Sequence, residues 1–268
     1  MSPSAAGSLA SLDGEIMPAA EARIPATDEG LLRGDGAFEV IRVYDGRPFA
    51  LEEHLERLAR SAANLRLPVD LEAVRADAHR LLARAGAGPD HEALRIVLTR
   101  GGRRLLLTEP LSGKEGALSL ASVTYCPTRV LDGVKSLSYA ANMLAGRIAV
   151  ERGADEALLV TPDGRVLEAP TSSIFWVQDG ELLTPPLTEH ILDSITRRVV
   201  LAVADVRERP CELERLLDCE EAFLASTTRE VQPVSAIDGR RLPACPGPLT
   251  ERTAKAVSAH IRARLEGG

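Results

Sequence analysis

Lysine is nearly missing from this chain: Lys114, Lys135 and Lys255 are the three among 32 basic residues in 268. The arginine excess most simply reflects a coding bias, so a single arginine carries little functional meaning. A lysine among apolar and small residues, as in "VKSLSYAANMLAGRIA", asks instead for a chemical reason, because burial can deprotonate its primary amine. Metal-type cysteine spacing is missing too. Cys126, Cys211, Cys219 and Cys245 form no C-x-x-C pair and have no histidine at ligand spacing, so they read as reduced, structural thiols and no metal is expected. There is no run of eighteen apolar residues, and "MSPSAAGSLASLDGEIM" lacks the basic and apolar regions of a leader, so a soluble, cytoplasmic protein with no membrane partner is expected. A surplus of positive charge is also absent. A net charge of −7 excludes a nucleic-acid footprint and points to a small-molecule partner.

What is present is enough apolar sequence, 45% of residues, to bury a substantial core in one large or two modest domains. "SLDGEIM" and "GAFEVIRVYDGRPFAL" carry D-G hairpin turns between alternating apolar positions. "LEEHLERLARSAANLRL" repeats leucine at helical spacing until Pro68, and "LEAVRADAHRLLARAGAG" is a second amphipathic helix closed by glycines. The strands "EALRIVLTRGG" and "GALSLASVTYC" complete an α+β unit. The pattern predicts a small domain over 1–121, a polar linker over 122–133 and a larger domain over 134–268. The larger domain reads as a helix from Tyr139, a hairpin "EALLVTPDGRVLEAP", the strand "SIFWVQDG", a helix from Asp193, the strand "EAFLAST" and a final helix from Leu249.

A lysine that captures a carbonyl needs a partly desolvated site and an aldehyde partner. Pyridoxal 5′-phosphate further requires an acid at its pyridine nitrogen, a phosphate cup and a partner for its phenolic oxygen. Each has a candidate: Lys135 for the aldehyde, Glu168 for the ring nitrogen and Tyr139 for the phenolate. The helix start "DSITRR" offers the N–H groups of Ile195 and Thr196 with a threonine hydroxyl to a phosphate. "ASTTRE" adds Thr227 and Thr228 at a strand-to-turn junction, and Arg57 adds a positive charge.

Together these residues carry a resemblance. "RGDGAFEVIR", "EEHLERL", "TRGG", "KSLSYAANMLA", "GADEALLVTPDGRVLEAPTSSIFWV", "ILDSITR" and "FLASTTREVQPV" are similar to blocks of the class IV aminotransferases, the fold-type IV pyridoxal-phosphate enzymes. The resemblance implies a two-domain α+β fold, with a small N-terminal α/β sandwich, a larger C-terminal pseudo-barrel domain and the cofactor between them. It implies a homodimer. It makes Lys135 the Schiff-base and catalytic lysine, gives the ring nitrogen to Glu168 and the phosphate to Arg57, Ile195, Thr196 and Thr227. The implied reaction is a ping-pong transfer of an amino group from an amino acid to a 2-oxo acid such as 2-oxoglutarate or pyruvate.

"GDGAFEVIRVYDG" and "LASTTREVQPV" look most like the D-amino acid aminotransferases. Branched-chain aminotransferases usually have glycine and asparagine where this chain has Ala169 and Ser173. Aminodeoxychorismate lyases often have threonine where Glu39 and Val40 stand. The lyase, the branched-chain and the (R)-amine transaminase readings stay as alternatives. Arg33, on the strand entering "GDGAFE", and Arg95 or Arg100, on "LRIVLTRGG", are the candidates for the substrate carboxylate, with Thr228 a further substrate contact.

Overall fold

In a computed structural model, residues 7–111, 113 and 115–267 are described, which leaves Lys114 outside. The chain divides into two compact units. The first takes the described part of Met1–Ser112 together with Val134–Tyr139. Its six strands are β1 (Leu9–Leu12), β2 (Glu15–Pro18), β3 (Gly36–Tyr44), β4 (Arg47–Pro48), β5 (Ala93–Thr99) and β6 (Arg104–Glu109). They form an antiparallel sheet ordered β2-β1-β6-β5-β3-β4. Two D-G turns close hairpins as expected, with Asp13, Gly14, Asp45 and Gly46 all at positive φ, the geometry whose twist matches paired strands.

Helices α1 (Glu29–Arg33), α2 (Leu51–Leu65) and α3 (Leu71–Ala85) complete this unit. The leucine repeat of α2 places Leu51, Leu55, Leu58 and Ala62 on one face. They pack with Val74, Ala78, Leu81 and Leu82 of α3 against Ile41, Leu94, Ile96 and Leu106 of the sheet. Arg66 ends α2 in the left-handed conformation just before Pro68. Asp70 caps α3 by accepting the Ala73 N–H, and Gly86 at φ +70° ends it.

The second unit, Gly113–Gly133 with Ala140–Gly268 in its described part, is built on β7 (Leu118–Thr124), β8 (Glu156–Val160), β9 (Ser173–Gln178), β10 (Glu181–Thr184), β11 (Val206–Glu208), β12 (Glu221–Ser226), β13 (Glu230–Ile237) and β14 (Arg240–Arg241). The sheet order is β11-β10-β9-β12-β13-β7-β8, with β14 on β13. Beyond β8 the sheet curls round: Val166 and Arg165 bridge to Val160 and Glu212, and Val166 donates to the Cys211 carbonyl. That closure gives the pseudo-barrel. Helices α4 (Ala140–Glu151), α5 (Ile195–Val203), α6 (Leu213–Leu216) and α7 (Pro248–Gly267) complete the unit. Trp176, Leu224, Ile174 and Val234 fill its core with Cys211 and Cys219, whose thiols burial pushes up to about 11 and about 12. No helix among the described residues is long and apolar enough to cross a membrane.

The division differs from the expected boundaries in two places. The expected cut after residue 121 falls inside β7, which is paired with β13 on one side and β8 on the other. The six residues around Lys135 join the first unit, because Ser136 bridges to Ala37 of β3. Alternation identifies a strand but not its neighbours, so neither fact was visible in the pattern.

Gly36 makes the bridge possible. A β-carbon there would stand 2.3 Å from the Leu98 carbonyl oxygen and 2.5 Å from Leu137 Cδ1. Gly36→Ala is therefore expected to cost roughly 1–3 kcal/mol through backbone shifts, as overpacking does. A urea midpoint unchanged from wild type would contradict this packing.

Candidate active site

Two groups of residues, one in each unit, carry chemistry. In the first unit, alternation along β3 turns Ala37, Glu39, Ile41 and Val43 towards α2 and Phe38 to the other face. Glu39 is fully buried and sits in a fork: Arg57 donates from Nε to Oε1 at 2.7 Å and from Nη2 to Oε2 at 2.6 Å. His54 Nδ1 lies 2.8 Å from Oε2. Burial alone would raise the Glu39 pKa; the Arg57 charge and hydrogen bonds, helped by His54, overcome it and hold the carboxyl at about 2. Burial lowers the His54 pKa against the pull of Glu39, and the Arg57 and Lys135 charges lower it further. The ring is then neutral and Nδ1 donates, which makes the buried, unpartnered Nε2 an acceptor.

Lys135 reaches this unit through backbone bonds. Phe38 N–H donates to the Lys135 carbonyl at 3.0 Å, Leu137 N–H donates to the Gly36 carbonyl at 2.9 Å, and the Lys135 N–H donates to Ser61 Oγ of α2 at 3.1 Å. The half-buried amine lies 4.4 Å from the Phe38 ring centroid and 5.7 Å from that of Tyr139. The two rings meet edge to face at 5.2 Å.

In the second unit three loops converge at one sheet end, because β9 begins where β12 finishes, Ser173 opposite Ala225. The first loop carries Glu168. Its backbone carbonyl accepts from Leu159 of β8, its Oε1 accepts the Leu192 N–H at 3.0 Å, and Asn142 of α4 donates to the Pro170 carbonyl at 3.2 Å. The second loop leads into α5. Ser194 caps that helix by accepting the Arg197 N–H at 3.3 Å, and Arg198 N–H donates to the Ser194 carbonyl at 3.0 Å. The N–H groups of Ile195 and Thr196 stand ahead of these bonds, at the end of the helix where backbone donors have no intrahelical acceptor. The third is the turn 227–229 between β12 and β13, which carries Thr227 and Thr228. Arg229 ties it down with a 2.5 Å pair to Glu156.

Lys135, Tyr139 and Arg57 thus fall in the first unit, while Glu168, Ile195, Thr196, Thr227 and Thr228 gather in the second. The substrate arginines are not gathered together. Arg33 ends helix α1, not a strand, and pairs with Glu29. Arg100 spends its donors on Asp35 and on the carbonyls of Leu65 and Arg66. Arg95 is held by Glu109 at 2.7 and 2.9 Å, yet lies 5.9 Å from the Phe38 ring that Lys135 also faces. Glu39 and His54 were missed as site residues. A carboxylate inside the apolar strand "GAFEVI" needs a buried partner, and hydrogen-bond donors three apart on one helix face, His54 and Arg57, could have supplied the clue.

The profile of the family described as Amino-transferase class IV matches residues 36–237. The chain is a class IV aminotransferase. A Methanocaldococcus jannaschii protein whose name places it among the branched-chain-amino-acid aminotransferases is 37% identical, over 85% of this chain and 88% of its own length. The bifunctional aminodeoxychorismate lyase / D-amino acid transaminase of Mycobacterium tuberculosis is 32% identical, over 93% and 97%. Among solved structures, a hypothetical aminotransferase from Mycobacterium tuberculosis in its alpha-ketoglutarate and PMP bound form is similar with a TM-score of 0.87 and 31% identity, over 96% of this chain and 99% of that one. Class IV aminotransferases use pyridoxal phosphate, and so does this enzyme.

The residues present suit that group. Ser172, Ser173 and Ser226 bury hydroxyls without a protein partner at the sheet end where the three loops meet, as expected of a place that receives a polar ligand. In the first unit, Glu39 sets a pH limit. Its folded carboxyl titrates near 2 against 4.5 ordinarily, so the unfolded chain takes up the proton first and stability is lost as pH falls from about 4.5 towards 2. The loss should reach roughly 3 kcal/mol. Urea unfolding across this range should show a decline that Glu39→Gln flattens; parallel curves for the two proteins would contradict it.

Proposed function

We propose that the enzyme moves an amino group between an amino acid and a 2-oxo acid such as 2-oxoglutarate or pyruvate, and that the amino acid is a D-isomer. The observation that carries the reaction is the Lys135 amine, fixed by β3 and α2 against two aromatic rings in a chain otherwise almost free of lysine. The D-preference is supported by the D-alanine aminotransferase of Bacillus licheniformis, 31% identical over 93% of this chain and 95% of its own length.

In this reading Lys135 Nζ would hold the coenzyme aldehyde and, once freed by substrate, would take up the α-proton and deliver it to the carbon that bore the aldehyde. Bound pyridoxal phosphate supplies an electron-withdrawing ring for the charge that proton removal leaves. Glu168 binds the ring nitrogen, its carboxylate steadied by the Leu192 N–H. Ile195, Thr196, Thr227 and Arg57 hold the phosphate, and Tyr139 meets the phenolic oxygen. Arg95, which pairs with Glu109 but lies 5.9 Å from the Phe38 ring that Lys135 also faces, takes the substrate carboxylate, with Thr228 as a further substrate contact. A lyase that forms p-aminobenzoate is the second reading, favoured by the bifunctional relative.

Lys135→Ala is expected to lose turnover and coenzyme absorbance together; turnover kept without added amine would refute the role. Mixing the yellow wild-type enzyme with D-alanine, L-leucine and (R)-phenylethylamine separately should bleach the colour with D-alanine alone. Bleaching by L-leucine alone would move the assignment to branched-chain substrates, and p-aminobenzoate released from aminodeoxychorismate would support the lyase.

The enzyme is further proposed to work as a homodimer through α4. This helix buries Ala145 and Ala149 but leaves Met143, Leu144 and Val150 about half exposed, an apolar face that a second copy would cover. Sedimentation should give a dimer that Met143→Lys with Val150→Glu dissociates; a wild-type monomer at micromolar concentration would count against it.

A further inference from the structure

One buried arginine, Arg197, has no part in the cofactor site proposed above, and the role proposed for it rests on the phosphate site there. Arg197, third residue of α5, is buried, with 2% of its surface exposed. Its Nη2 donates to the Pro185 carbonyl at 2.9 Å and pairs with Glu208 of β11, while its Nε is buried without a partner. A buried guanidinium is costly to desolvate, so its persistence here asks for a return.

The surroundings suggest what that return is. Glu208 is 44% exposed, so water weakens its charge, whereas Arg197 has little water to weaken its own. The imbalance leaves net positive potential around a guanidinium carried by the first turn of α5, on top of the dipole of a nine-residue helix. The neighbouring Arg198–Asp193 pair is a third or more exposed on both sides and adds little. The same side chain also fastens the helix start: Pro185 and Glu208 hold its guanidinium, and Ser194 holds its backbone N–H. The Ile195 and Thr196 donors are thereby set in place.

We propose that Arg197 is a positioning residue for the coenzyme phosphate. It locks the donor turn of α5 and lends it positive potential, so that the enzyme selects a dianionic phosphate ester over the same ring without phosphate.

The test compares dissociation constants for pyridoxal 5′-phosphate and for pyridoxal, by absorbance titration of the full chain stripped of coenzyme. Arg197→Met should weaken the phosphate ester by about thirtyfold, near the upper range of helix-terminus charge effects, and leave pyridoxal within about twofold. Arg197→Lys should fall between. Arg198→Met, removing the same charge one residue on, should stay close to wild type. Parallel weakening of both ligands, or none, overturns the inference. If Arg197→Met does not fold, Arg197→Lys decides: it keeps a charge but loses the planar fork that reaches Pro185 and Glu208, and should weaken the ester selectively, while equal effects on both ligands overturn the proposal. A wild-type enzyme that does not discriminate the two ligands overturns the phosphate-site reading together with the inference. Discrimination in wild type that survives in Arg197→Met overturns the inference alone.

Discussion

The position of the Lys135 amine depends on two backbone hydrogen bonds, from Phe38 N–H to the Lys135 carbonyl and from Leu137 N–H to the Gly36 carbonyl. They fasten a six-residue segment to the end of β3, which is itself locked along its length to β5. A loop lysine would sample many rotamers and backbone states; one held in a strand-like bridge, with its N–H on a helix hydroxyl, loses that freedom before any ligand arrives. Gly36 is the steric condition for this arrangement, since any side chain there meets the Leu98 carbonyl.

Within each unit many charges are paired. Glu39 has Arg57 and His54, Asp77 has Arg80 and Arg104, Asp35 has Arg100, and Glu156 has Arg229. Most arginines thus act as structural clasps, whose planar forks suit carboxylates and carbonyl groups alike. Against this background the exceptions stand out. The hydroxyls of Ser172, Ser173 and Ser226 and the Nε of Arg197 in the second unit are buried without partners, as are Ser11 Oγ and His54 Nε2 in the first. The first unit holds an amine and a strongly depressed carboxyl, and the second holds hydroxyl and backbone donors.

Much of this was legible in the sequence. The leucine spacing of α2, its stop before Pro68, the D-G turns and the final helix are local events, decided by neighbours within a few residues. The scarcity of lysine pointed to Lys135, and the helix start and turn that carry Thr196 and Thr227 were correctly placed on their elements. What was hidden is non-local. Nothing in "GALSLASVTYC" says that β7 lies between β13 and β8, nor does "VKSLSY" declare an attachment to β3 nearly a hundred residues earlier. Arg33 was read as strand because its segment leads into one; Asp28 instead caps a short helix there, accepting the Gly30 N–H at 2.7 Å. The buried fork around Glu39 needed the packing of α2 on β3 before its partners could be named.

The interleaving of the two units has a consequence for how this fold can be taken apart or recombined. A fragment ending near residue 112 would carry β3 but not the strip that covers it, leaving the Phe38 amide and the Gly36 carbonyl on an open edge beside a hydrophobic face. Exchange of a contiguous N-terminal cassette between relatives would separate the lysine from the strand that seats it. Chimeras with crossovers after residue 139 keep that pair together, and fragments cut near residue 112 could reassemble only by lending the strip in trans from the second fragment.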